Sequence, residues 1–328
     1  SEENAVYDGL SQAEANLAVS EYLADEIGVV GMIGPATSPQ VNTAYLQVEK
    51  YGTVMISPSA TSPALTPIDG LSSSYDSPGL LWRTVPPDDL QGEVLATYLI
   101  EEDVQTVAAI YEEGEYGGPL SSVFMDEFSG SGRQVKPLAY QSDSSQSLQD
   151  AFGRVAAQDA VLFVSSTKPD TISFLEEVVD GTFDDKPIFL ADGGQDLAIF
   201  DAVDGIESRL EQIVGSAPAS EGDGYESFAA EYTSKYGEDP KQTPYTGRAY
   251  DAAWLLIFGT AWSRHQESMD GAITGLGVAR GLRMISDPNG PEIRTGPSDW
   301  NLLQAQFEQG NTVNVQGASG PLDFDSET

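Results

Sequence analysis

The sequence has no cysteine and one histidine, so disulfides, thiolate metal sites and cysteine nucleophiles are absent together. A Ser-His-Asp triad would have to use His265, in "WSRHQES" at the expected end of a helix, where an imidazolium suits the dipole. No G-x-S-x-G elbow accompanies it, which speaks against that hydrolase chemistry. Phosphate-cradling motifs are missing as well: there is no G-x-x-x-x-G-K-[ST], and no G-x-G-x-x-G between a strand and a helix. Positive charge is scarce, with 15 Lys and Arg against 52 Asp and Glu and a net charge of -37. Such a surface repels phosphate backbones and anionic membranes, so nucleic acid and anionic lipid are not expected partners. It suits a salt-rich setting, where counter-ions screen the self-repulsion. No window approaches eighteen continuous apolar residues, and "SEENAVYDGL" lacks the basic and apolar regions of a signal peptide. Any export signal is therefore expected to have been removed.

Acidic runs such as "EEGE" (112–115), "DDK" and "DFDSE" lack the spacing of a calcium loop and read as solvated faces. No metal or cofactor is expected. Carboxylate-pair catalysis leaves no mark in a sequence, because such pairs meet only in space.

What is present is a long series of apolar runs. With 328 residues, 40% of them hydrophobic, the chain can bury two cores of ordinary size. "VVGMIG" (29–34), "TVMIS" (53–57), "TVAAIY" (106–111), "AVLFVSS" (160–166) and "PIFLAD" (187–192) read as buried strands. Helical spacing separates them, in "VNTAYLQVEKYG", "LQGEVLATYLIEE", 119–128 and "ISFLEEVV". Strands this apolar, alternating with helices, predict an α/β class: doubly wound parallel sheets covered on both faces. From about Gly222 the chain turns helix-rich, through "YESFAAEYTSKYG" and "RAYDAAWLLIFGTAW", and "VNVQGASGPLDFD" reads as strand, turn and strand. "TVPPDDLQG" (84–92) and "SAPASEGDG" (216–224) are the best candidates for segments that cross between lobes.

Two turns stand out. "GPATSPQ" (34–40) and "SPSATSPAL" (57–65) each follow an apolar strand with small hydroxyl residues, a proline and a helix start. Ordinary capping would explain either one alone. In an open parallel sheet, however, loops at the carboxyl ends of strands line the ligand crevice, and a helix start there offers N–H groups to an anion. Two such strand ends side by side suggest a seat for a small carboxylate.

In order along the chain, "VVGMIGPATS", "YGTVMISPSATSPALT", "LWRTVPPDDLQG", "AAIYEEGEYGGPL", "YDAAWLL" and "QGASGPLDFD" resemble the type I periplasmic solute-binding proteins of the leucine/isoleucine/valine-binding class. These are the receptors of ABC importers. The resemblance spans nearly the whole chain, and "ISPSATSPALT" is its most specific piece. It implies two doubly wound lobes joined by a hinge, with ligand in the cleft between them. One lobe would take residues 1–87 and 217–319, the other 88–216 and 320–328. The ligand's carboxylate would be held by Ser38, Ser59 and Thr61 with the Ala60 backbone nearby, and its ammonium partly by Asp192 of the other lobe. Tyr116 falls at a cleft tyrosine, and Thr167 where branched-chain binders carry an aromatic. Asp88, in "PPDD", reads as a helix cap or hinge residue.

The resemblance departs at both ends, where the family's first strand and helix and its last strand have no counterpart. A longer mature protein, or another segment completing the sheet, is expected. Thr167 beside Lys168 gives a smaller, more polar pocket with an ammonium at its rim, which leans toward a small polar or acidic amino acid or another small carboxylate. The implied function is a non-enzymatic, monomeric, periplasmic or extracellular receptor, tethered in its full-length form and serving a membrane permease. The alternative is a sensor or regulatory domain of the same fold.

Overall fold

The computed structural model describes residues 9–70, 74–142, 144–155, 157–183, 186–243, 245–267 and 271–324. Its first stretch runs through α1 (Gln12–Glu21), a π-helical turn (Tyr22–Ile27), β1 (Gly31–Ile33), α2 (Ser38–Val48), β2 (Val54–Ser57) and β3 (Leu81–Arg83). The three strands form a parallel sheet in that order, with Met32 opposite Met55 and Ile56 opposite Trp82. All four residues of β2 are buried, as befits a central parallel strand covered on both faces.

The second stretch alternates more regularly: α3 (Asp88–Glu101), β4 (Thr106–Glu112), α4 (Gly117–Gly130), β5 (Gln134–Tyr140), α5 (Ser145–Phe152), β6 (Ala160–Val164), α6 (Lys168–Val179), β7 (Ile188–Leu190), α7 (Leu197–Asp201) and β8 (Ile213–Gly215). They build a parallel five-stranded sheet ordered β5-β4-β6-β7-β8. The period of two in strand geometry divides its side chains between two cores. Val107, Ala109 and Leu162 pack with Leu120, Phe124 and Phe128 on one face. Ala108, Ile110 and Phe163 pack with Phe174 and Phe183 on the other, where the Phe163 and Phe174 rings stack at 4.2 Å. The sequence reading passes over β5 because Lys136 and Pro137 break its apolar run. Its place at the sheet edge is where a proline is tolerated.

The last stretch comprises α8 (Asp223–Tyr236), α9 (Thr246–Gln266), α10 (Gly275–Leu282), β9 (Glu292–Arg294), α11 (Trp300–Glu308), β10 (Asn314–Gly317) and β11 (Gly320–Pro321). β10 pairs parallel to β9 and antiparallel to β11, and this small sheet shares one core with the first: Ile56, Trp82, Leu255, Phe258, Ile293 and Val315. One expectation is corrected here. Residues 320–324, assigned from sequence to the second lobe, pack on the first, with Leu322 buried in that core and the Phe324 ring set edge-on to Trp82 at 5.1 Å. A tight turn after Gly317 returns these apolar side chains to the sheet they have just left, and the Leu322 N–H donates to the Val315 carbonyl at 3.1 Å. Residues 325–328 lie outside the described residues.

The chain passes from the first sheet to the second through 84–87 and leaves it through 216–222. Arg248, buried in α9, ties the two segments together: its Nη1 donates to the Thr84 carbonyl at 2.7 Å and its Nη2 to the Ala219 carbonyl at 2.6 Å. His265 lies in the last turn of α9, with Nε2 2.7 Å from Gln304 Oε1, and serves a helix–helix contact.

Even with every Lys and Arg paired, 37 carboxylates would have no basic partner of their own. Raising NaCl from low to molar concentration should therefore lift the melting temperature by ~3 °C or more, roughly 2 kcal/mol of screened repulsion. A flat calorimetric series would contradict this.

Candidate functional site

The two hydroxyl-rich turns form one unit. Gly34, at φ 93, bends the chain in a left-handed conformation that costs a residue without Cβ little. Ser38 opens α2, and its buried Oγ accepts the Ser62 N–H at 3.1 Å. In return Ser57 Oγ donates to the Pro35 carbonyl at 2.8 Å and Ser59 Oγ to the Ala36 carbonyl at 2.7 Å. The Ala60 N–H is committed within its own turn, to Ser57 Oγ at 3.1 Å. Thr61 is buried, and its carbonyl accepts the Asp88 N–H at 2.9 Å. Arg83, at the end of β3, donates to the Ser62 carbonyl at 2.8 Å and to Thr66 Oγ1, which fixes the second turn.

On the other lobe, Asp192 follows β7 and is 4% exposed. The Tyr116 hydroxyl donates to its Oδ1 at 2.5 Å, the Tyr245 hydroxyl donates to its Oδ2, and the Gly193 N–H donates back to the Tyr116 hydroxyl at 3.3 Å. Backbone approach makes this possible: a Cβ on Gly193 would lie 2.0 Å from the Ser165 carbonyl oxygen, and one on Gly117 2.4 Å from that of Glu112. Tyr116 and Asp192, each assigned separately to the cleft in the sequence reading, are thus in direct contact. Tyr245 has no counterpart in that reading. It precedes α9, belongs to the first lobe's helices, and sits in the left-handed region at φ 62, a conformation that costs a tyrosine on the order of 1 kcal/mol. That backbone delivers its hydroxyl to a carboxylate of the opposite lobe.

Asp88 joins the two halves. Assigned from sequence to capping or hinge duty, it is 1% exposed at the start of α3, and neither of its carboxylate oxygens accepts a well-directed hydrogen bond, with the Thr61 hydroxyl the one donor close by. Its main chain is bonded to Thr61, and its charge is felt by Asp192, Tyr116 and Tyr245. Burial first, and then repulsion by Asp192, pushes the Asp88 carboxyl up to about 8, while the Thr61 hydroxyl and Arg83 pull the other way. Burial also raises Asp192, against the two tyrosine hydroxyls that stabilise its charged form. Both tyrosines are pushed above their ordinary range, chiefly by burial, so they remain donors. The result is a sealed pair of carboxylates, ringed by hydroxyls, with no lysine or arginine bonded to either one among the described residues.

Thr167 lies elsewhere in the same lobe. It precedes α6, its N–H donates to Ser165 Oγ at 3.2 Å, and its Oγ1 is 3.4 Å from that atom. Ser165 and the Ser166 N–H in turn bond Glu112, a buried carboxyl raised mainly by burial. No hydrogen bond among the described residues joins Thr167 to Asp192 or Tyr116. Lys168 is ion-paired to Asp196, so its ammonium is spent, and the argument for an acidic ligand loses the cation on which it rested.

The two halves meet at Asp88, with serine and threonine hydroxyls on one side of it and the Asp192 carboxylate on the other. A family model described as "Receptor family ligand binding region" matches residues 5–328. The chain belongs to this family. Within it, the chain is 23% identical over 321 residues to the chemotactic signal transduction system substrate-binding protein BasB of Halobacterium salinarum, a match covering 96% of this chain and 71% of that one. A leucine-binding protein, LivK, from Thermotoga maritima superposes with a TM-score of 0.72 at 19% identity, over 98% of this chain and 79% of that one. A solute-binding protein of an ABC transporter from R. palustris, in complex with benzoate, gives a TM-score of 0.67 at 15% identity, over 98% of this chain and 77% of that one. The fold is therefore the two-lobed type I periplasmic binding protein fold, in a family described as a receptor ligand-binding region.

Proposed function

We propose that the chain is a non-enzymatic extracytoplasmic receptor that closes on an amino-acid zwitterion and presents it, as a monomer, to the membrane permease of an ABC importer. Asp88 and Asp192 carry this reading: two buried carboxylates without a bonded cation are a costly arrangement unless a ligand supplies the positive charge. The same pair weighs against a plain carboxylate such as benzoate, which would bring a further negative charge to them. At the other end, Ser38, Thr61 and the start of α2 would meet the ligand's carboxylate, with Ser59 and Ala60 shaping the turn. Tyr116 would orient Asp192, and Thr167 would stand in the wall further out.

Calorimetric titration with serine, threonine, alanine, leucine and benzoate tests the ligand class. At least one amino acid should bind, and benzoate should bind at least ~100-fold more weakly than the best of them. Preference for benzoate would overturn the reading.

A chemosensory output is the second reading, and the likeness to a chemotactic substrate-binding protein favours it. Crosslinking the ligand-loaded receptor in native membranes separates the two outputs, by capture of a permease subunit or of a signal transducer.

A further inference from the structure

We propose that proton and solute exclude each other in this cleft: closed and empty, Asp88 carries a proton, and the arriving ammonium displaces it to solvent. The inference rests on the amine-ligand reading above. In balance, the Asp88 carboxylic acid and R–NH3+ give a carboxylate paired with R–NH3+ and one released H+.

Geometry decides which carboxyl holds the proton. Both oxygens of Asp192 accept tyrosine hydroxyl protons, which stabilises its charged form, whereas Asp88 has the Thr61 hydroxyl nearby and no well-directed hydrogen bond to either oxygen. The charged and titratable groups around Asp88 come from every neighbouring element: Arg83 from β3, Asp89 on its own helix, Asp192 after β7, Tyr116 before α4 and Tyr245 before α9. Arg83 alone is cationic, and its nitrogens donate to Ser62 and Thr66, so it tempers the repulsion without bonding the carboxyl. Two unprotonated carboxylates in one sealed, low-dielectric site repel strongly, and a proton or a ligand cation relieves that repulsion equally well. With the Asp88 carboxyl held up at about 8, the empty site is mostly protonated at neutral pH.

The test is calorimetry of the full chain with the tightest binder among serine, threonine, alanine and leucine, in buffers of different ionisation enthalpy. Release should approach one proton per ligand at pH 6 and fall as pH rises through the Asp88 range, with affinity at least about 10-fold tighter at pH 8 than at pH 6. Asp88→Asn should bind more weakly, release no proton and lose the pH dependence. Binding with no proton release in the wild type, or equal release in Asp88→Asn, overturns the proposal. A ligand-free measurement stands beside it. The folded state holds a proton that the unfolded state has lost, so the wild type should lose melting temperature relative to Asp88→Asn as pH rises from 6 to 8. Parallel curves overturn the proton on Asp88 whether or not any amino acid binds, whereas diverging curves without amino-acid binding put the fault in the ligand class.

Discussion

Asp192→Asn should weaken amino-acid binding by at least ~100-fold, corresponding to the ~3 kcal/mol or more expected when one partner of a buried, hydrogen-bonded charge pair is neutralised. The substitution is nearly isosteric, so the Tyr116 and Tyr245 hydroxyls keep a group of the same shape between them. One of them, however, now meets an amide N–H2 in place of an oxygen. What is lost is the charge, in a site 4% exposed where water cannot substitute for it. Titration with the best amino-acid ligand checks this, and the melting temperature of the ligand-free variant shows whether the fold is intact. Removing a buried charge that burial disfavours should leave the unliganded protein as stable as the wild type or more so. Wild-type affinity in this variant would mean that the ammonium is held elsewhere, and the paired turns at Ser38 and Thr61 would then be helix caps and nothing more.

Much of this site is legible in the sequence because it sits at strand ends. The apolar runs of β1, β2, β4, β6 and β7 are nearly continuous, and the turns after them carry Ser38, Thr61, Tyr116 and Asp192 as local, quotable features. Three-residue strands such as β3, β8 and β9 offer too few positions for a period to show. The carboxylate beside Asp88 is hidden from the sequence for a different reason. "PPDD" before a helix has the composition of a cap, and only the fold brings it against a carboxylate contributed by a different strand end. Tyr245 left no signal at all, since nothing in its neighbours marks a left-handed tyrosine aimed at the other lobe. Arg248 and Asp251 did leave one: two charges three residues apart in the otherwise apolar "RAYDAAWLLIF". A charge in a buried helix must be bonded, and asking to what would have pointed to the crossing segments and to the glycine-rich turn.

Asp251→Ala shows how much depends on such a residue, and should destabilise the protein by about 4 kcal/mol. Asp251 is fully buried on α9 and accepts four hydrogen bonds, from Thr295 Oγ1 at 2.8 Å, the Ala318 and Ser319 N–H groups at 2.8 Å each, and Ser319 Oγ at 2.7 Å. They organise the turn between β10 and β11, where a Cβ on Gly317 would lie 2.4 Å from Asp251 Oδ2, so the carboxylate and the glycine fit only each other. Burial raises the carboxyl, and the donors around it, Ser319 foremost, work against that rise. Alanine removes the acceptor, strands the buried Ala318 N–H and the half-buried Ser319 N–H, each costing about 1–3 kcal/mol when unpaired, and leaves a cavity beside the core of the first lobe. The expected fall in melting temperature is about 6 °C, while Glu308→Ala on the exposed end of α11 should stay within about 0.5 kcal/mol of wild type. Asp251→Asn, which keeps one acceptor oxygen and turns an N–H2 toward the turn's donors, should fall between the two. The three variants compared by calorimetry decide the matter: if alanine and asparagine melt with the wild type, the turn is held by its backbone geometry and not by Asp251.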